Sequence, residues 1–103
     1  MGYTCNMRVE ETETYREWIN ALKDRAARAR IQVRVDRLVH GNPGPHRDLG
    51  GGVSELKIDS GSGYRVYYTK RGNRLLLLLA GGDKSSQQKD IEMAILLASN
   101  YQE

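Results

Sequence analysis

Leu75 to Ala80 is an unbroken apolar run of five leucines and an alanine. It is far too short to cross a membrane, which takes about 20 apolar residues in a helix. Its length suits a strand, and a strand apolar at every position is buried on both faces. Turn-forming residues bracket it: Lys70-Arg71-Gly72-Asn73 before and Gly81-Gly82-Asp83 after. Two alternating segments precede it. Residues 53–58 place Leu56 and Ile58 on one face, and residues 63–70 place Tyr64, Val66 and Tyr68 together. The joint Asp59-Ser60-Gly61-Ser62-Gly63 reads as a hairpin turn. Residues 53–80 are therefore expected to form an antiparallel meander.

The rest of the chain carries helical spacing. Tyr15, Trp18, Ile19 and Leu22 recur at the interval of one helix face, with Thr12 or Thr14 available as cap and Thr14–Glu17 fitting a capping box. Asp24 can cap a second helix reaching about His40, with Ala27, Ile31, Val35 and Leu38 as its apolar stripe. Gly41-Asn42-Pro43-Gly44-Pro45 ends it, and a loop runs on to Gly50-Gly51-Gly52. Ser85 or Ser86 can cap a last helix whose apolar face is Ile91, Ala94, Ile95 and Ala98. A short first strand is expected over residues 3–10. The order β-α-α-β-β-β-α predicts an α+β fold: a small antiparallel meander packed against an αα-hairpin, with the helices on one face. A chain of 103 residues can bury one core, so residues 1–103 are expected to be a single domain.

Composition narrows the function classes. Hydrophobic residues make up 39% and charged residues 28%, too apolar and too balanced for a mainly disordered chain. The net charge of +3 permits a nucleic-acid partner without requiring one. One cysteine and two histidines cannot build a structural zinc site, and no metal or cofactor is expected. Cys5 reads as a small core residue rather than a nucleophile. The first residues show no apolar leader segment, and the cytoplasm is the expected compartment, with no membrane association.

The meander is where chemistry is most legible. A turn centred on Gly61 pairs residues whose numbers sum to 122, so Lys57 lies opposite Arg65 and Glu55 opposite Tyr67. All four are expected on the outward face of the sheet. Two cations directly opposite each other repel unless a carboxylate or a bound anion compensates. A guanidinium grips two phosphate oxygens at once, which makes phosphate the natural anion. The ordinary alternative is a solvated face with a Glu55–Lys57–Arg65 charge cluster. Gly81-Gly82-Asp83-Lys84-Ser85-Ser86 could bring backbone amides to an anion at a helix start, or simply turn a strand into a helix. Arg30, Arg34 and Arg37 share one helix stripe, suited to nucleic acid or to plain solvation. His46, in the loop, could act as a general acid or base.

These residues together resemble a known family. Tyr15-x-x-Trp18-Ile19-x-x-Leu22-x-Asp24, then Ala29-Arg30-Ile31 and Arg34, resemble the opening of small bacterial toxins. Gly51-Gly52-Val53-Ser54-Glu55-Leu56-Lys57-Ile58-Asp59 and Gly63-Tyr64-Arg65-Val66-Tyr67-Tyr68 resemble their middle. Gly81-Gly82-Asp83-Lys84-Ser85-Ser86-Gln87 with Asp90-Ile91 resembles their end. The pattern, over about residues 9–100, is similar to the RelE/ParE superfamily of type II toxin–antitoxin systems, in the addiction module killer subgroup near HigB. The resemblance implies a RelE-like sheet with helices packed on it. It implies a cognate antitoxin, often of helix-turn-helix type, with operator DNA reached only through that antitoxin. It implies one of two activities: metal-independent cleavage of mRNA on the ribosome, or inhibition of DNA gyrase without cleavage. A non-toxic regulatory partner of an antitoxin is a third possibility. For cleavage, the resemblance assigns Lys57, Arg65 and Lys84 as catalytic candidates; Glu55, Tyr67, His46, Arg30, Arg34 and Arg37 are expected in contact with RNA. Glu55 stands where well-studied relatives carry lysine, and no tyrosine opens the last helix.

Overall fold

The structure is a computed structural model that describes residues 7–102. The elements are β1 (Arg8–Glu11), α1 (Glu13–Ala21), α2 (Arg25–Val39), β2 (His46–Gly50), β3 (Val53–Ile58), β4 (Tyr64–Arg71), β5 (Leu75–Gly82), a short 3-10 turn (Lys84–Ser86) and α3 (Gln87–Asn100). The strands form one sheet in the order β1-β5-β4-β3-β2. β1 runs parallel to β5 and the other pairs are antiparallel. The first strand is thus Arg8–Glu11; residues 3–6, including Cys5, lie outside the described residues.

The expected meander is present, with the expected register: Lys57 pairs with Arg65 and Glu55 with Tyr67. Two features differ. The segment expected as a loop contains β2, which makes the sheet five-stranded, and the parallel β1–β5 pair makes it mixed. The helices also lie on both faces rather than one. Tyr15, Ile31, Val35 and Leu38 pack on Leu56, Ile58, Val66, Tyr68, Leu76 and Leu78. Ala94 and Ala98 of α3 pack on the opposite face, against Val53, Tyr67, Leu77, Leu79 and Ala80. Side chains alternate across a strand, so β5 feeds Leu76 and Leu78 into one core and Leu77 and Leu79 into the other. That is why it needs leucine at every position. A strand apolar on both faces demands cover on both, and α3 supplies the second layer.

Capping fixes where the helices sit. Thr12, rather than Thr14, caps α1: its Oγ1 accepts from the Tyr15 amide at 3.0 Å. The same hydroxyl donates to the Leu79 carbonyl at 2.6 Å, which ties the helix start to the sheet. Asp24 caps α2 through the Ala27 amide at 3.0 Å. Arg71 donates to the Ala98 and Tyr101 carbonyls at 2.9 and 3.2 Å, satisfying two acceptors at the end of α3.

Gly81 and Gly82 are explained by close approach. A Cβ on Gly81 would lie 2.2 Å from the Trp18 ring, and one on Gly82 would lie 1.9 Å from the Asp90 carboxylate. The two glycines let α1 and α3 press against opposite faces of β5. Packing accounts for both of them without a ligand.

Candidate functional site

α3 covers only part of its face of the sheet. Beyond its first turn, the ends of β3 and β4 emerge into a cleft of about 520 Å³ lined by Arg47, Lys57, Arg65, Lys84, Ser85, Gln87, Gln88 and Ile91. Four cations line it, and no carboxylate does. Lys57 and Arg65 arrive there as a cross-strand pair. Arg47 comes from β2, opposite Glu55, and Lys84 from the turn that precedes α3.

The counter-charge lies beneath the floor. Glu55 is fully buried, at 0% exposure. Its Oε1 lies 3.3 Å from Arg47 Nε and 3.8 Å from Arg65 Nε, and its Oε2 accepts from Gln87 Nε2 at 2.9 Å. A buried carboxylate costs several kcal/mol unless charges and donors surround it. Here two guanidinium groups and an amide do so, from β2, β4 and α3. One consequence is that Arg65 is held in place: its side chain is only 14% exposed. Its Nη1 also donates weakly to the Gly63 and Tyr64 carbonyls, at 3.4 and 3.5 Å.

Tyr67 sits beside Glu55 under α3, also at 0% exposure. Burial raises its phenol well above the ordinary range, and the Glu55 charge adds to the effect. The group stays neutral. Glu55 Oε1, Arg65 Nε and Tyr67 Oη are all buried without a well-formed hydrogen bond, so the polar layer under the cleft is held chiefly by charge. At the rim, the Ser85 hydroxyl and amide donate to Asp83 and hold its carboxyl below the usual range.

The fold therefore brings Lys57, Arg65 and Lys84 into one cleft, and distributes the other sequence candidates elsewhere. Glu55 and Tyr67 are not on an outward face. With no exposed surface, Tyr67 cannot stack on a base and Glu55 cannot touch RNA. His46 is not in a loop but on β2, opposite Leu56, whose side chain faces the α1–α2 core. Directly opposed residues share a face, so His46 lies on the other side of the sheet from the cleft. Its Nδ1 is 2.7 Å from the Gly44 carbonyl. Arg30 and Arg37 line a separate groove along α2, with Ala26, Ala29, Val33, Arg34 and Asp59. Arg34 anchors a loop: it donates to the carbonyls of Lys57 at 2.6 Å and of Pro43 and Pro45 at 2.9 Å. Burial and the nearby Arg37 lower its pKa.

Arg47, Gln87 and Gln88 are the cleft residues that sequence reasoning missed. His46-Arg47-Asp48-Leu49-Gly50 is an edge strand, exposed at four of its five positions, so it shows no apolar alternation to read. Gln87 was visible only as a helix-start residue. Among the described residues, no cluster of three or more His, Cys, Asp or Glu side chains could hold a metal ion. No helix among them is long and apolar enough to cross a membrane.

Residues 17–101, which include every residue lining the cleft, match the family described as phage derived protein Gp49-like. An uncharacterised protein of Haemophilus influenzae is 45% identical over 92 residues, covering 89% of this chain and 93% of that protein. No solved structure matches the chain.

Proposed function

The chain belongs to the phage-derived Gp49-like family, which fits the toxin of a toxin–antitoxin pair in general, and from that premise we propose that it cleaves mRNA on the ribosome. This reading deepens the RelE/HigB-type resemblance of the sequence. The observation that carries it is the cleft of four cations over one buried carboxylate. A site of that charge and openness suits a phosphate inside an RNA strand. The partners in this reading are the ribosome and mRNA in the cytoplasm, and a cognate antitoxin, the only route to operator DNA.

The chemistry needs no cofactor. The 2′-oxygen attacks the adjacent phosphorus, and the 5′-oxygen leaves, giving a 2′,3′-cyclic phosphate and a 5′-hydroxyl. Charge builds on the non-bridging oxygens in the transition state, where fixed cations act most strongly. Arg65 and Arg47 grip those oxygens. Lys57 binds the phosphate beside them, and the 2′-proton passes to solvent water in the open cleft. Lys84 gives a proton to the leaving 5′-oxygen. Glu55 and Gln87 touch no substrate; they hold the two arginines.

The test is brief induced expression, with mRNA 5′ ends mapped within minutes, beside Arg65→Ala. The expected result is cuts within translated codons that disappear in the variant. Loss of Arg65 should cost about 2–4 kcal/mol of transition-state stabilisation while the protein stays folded by circular dichroism. Growth arrest with intact mRNA would overturn the nuclease reading and favour a gyrase inhibitor. Unaffected growth with intact mRNA would favour the non-toxic regulatory partner.

A further inference from the structure

A second cavity adjoins the cationic cleft. It has a volume of about 410 Å³ and shares Lys57, Arg65 and Lys84 with the cleft. Beyond those three it is lined by Arg34, Pro45, Ile58, Asp59 and Gly63. A phosphate held at the shared cations therefore has this cavity as its neighbour. The walls differ in kind from those of the cleft. Pro45 contributes exposed apolar surface, and Gly63 contributes no side chain.

Two polar groups in the cavity have complementary character. Arg34 is fixed: three backbone carbonyls take up its guanidinium donors, at 2.6, 2.9 and 2.9 Å. It offers a planar cation in a set position, and a nucleobase stacks on such a plane. Asp59 is exposed, and no hydrogen bond or ion pair engages its carboxylate among the described residues. A free carboxylate accepts hydrogen bonds and donates none.

We propose that this cavity takes the base next to the bound phosphate, that the base stacks on Arg34, and that Asp59 selects guanine. The selection follows from the Watson–Crick edges. Guanine presents two adjacent donors, N1–H and N2–H, which match the two oxygens of one carboxylate. Adenine and cytosine each pair an amino donor with a ring acceptor, and that acceptor would face an anion. Uracil has a single N–H between two carbonyls. Only guanine satisfies Asp59 without repulsion.

The inference rests on the reading of the cleft as a phosphate site, and the test separates the two. The probes are inorganic phosphate and the 3′- and 5′-monophosphates of the four ribonucleosides, with binding to the full chain measured by calorimetry. Wild type should bind phosphate, and a guanosine monophosphate about tenfold more tightly than its three counterparts, the discrimination one bidentate base contact supplies. Asp59→Asn should abolish that preference and leave phosphate binding unchanged, since Asp59 does not line the cationic cleft. Arg65→Ala should weaken all the probes alike. Equal binding of the four nucleotides to wild type would overturn the guanine inference, as would a guanine preference that survives in Asp59→Asn. Failure to bind phosphate would overturn the reading of the cleft and the inference with it.

Discussion

Replacing Glu55 with alanine should both destabilise the fold and loosen the cleft. The carboxylate lies 3.3 Å from Arg47 Nε and 3.8 Å from Arg65 Nε. At an effective dielectric near 20, each contact supplies about 4–5 kcal/mol before desolvation is counted. Burying the charge cancels most of that, so the pairs themselves add little net stability. Truncation is a different matter, because it strands Arg65, only 14% exposed, with its Nε already unpaired by any hydrogen bond. Breaking a buried pair costs about 3–5 kcal/mol. Arg47 is 48% exposed and can turn to water, which puts this case near the lower end. A loss of about 3 kcal/mol corresponds to a fall of roughly 12–24 °C in Tm for a domain of this size. Urea melts at pH 7 would measure it. Arg65→Ala combined with Glu55→Ala should cost less than the sum of the two single changes, by about 1–3 kcal/mol, because no cation is then stranded. Additive losses, or a Glu55→Ala protein within about 1 kcal/mol of wild type, would refute the account of Glu55 as the anchor of both arginines.

Three further outcomes are expected. Gly81→Ala should destabilise by about 1–3 kcal/mol, because its Cβ would sit 2.2 Å from the Trp18 ring; a thermal melt beside Gly81→Ala/Trp18→Leu, which should recover part of the loss, checks the cause. Thr12→Val should cost about 1–2 kcal/mol in a urea melt, through the lost cap on the Tyr15 amide and the Leu79 carbonyl left unpaired. Burial raises the Tyr15 and Tyr67 phenols above their ordinary value of 10.0, so the folded chain keeps protons that the unfolded chain releases. Stability should therefore be insensitive to these groups below pH 10 and fall as the pH rises past it. Tyr15→Phe should flatten that fall in urea melts taken at rising pH.

Much of the architecture can be read from local spacing. Alternation at 53–58 and 63–70, together with a turn at Gly61, determines the meander and its register, because a slip of one residue would turn Leu56 and Val66 out of the core. The 3.6-residue spacing of Ala27, Ile31, Val35 and Leu38 determines which face of α2 is buried. The same parity argument brought Lys57 and Arg65 together on one face. These are short-range consequences of backbone geometry, which every sequence position reports directly.

What α3 does could not be read this way. Its apolar stripe shows that it packs, but not on which face of the sheet. The leucine run held the clue, since a strand apolar at every position needs two covered faces. Once α3 lies on the Glu55–Tyr67 face, those two residues change from exposed candidates into buried supports. The same placement brings Gln87 to Glu55 and Lys84 to Arg65, across sequence separations that no local pattern records. Arg47 reaches the cleft because an exposed edge strand pairs with β3, and such a strand carries no hydrophobic signal. The sequence by itself determined the strands, the helices and the pair of cations on one face. Only the tertiary structure decided which charges meet, because burial and counter-charge depend on what the remote elements cover.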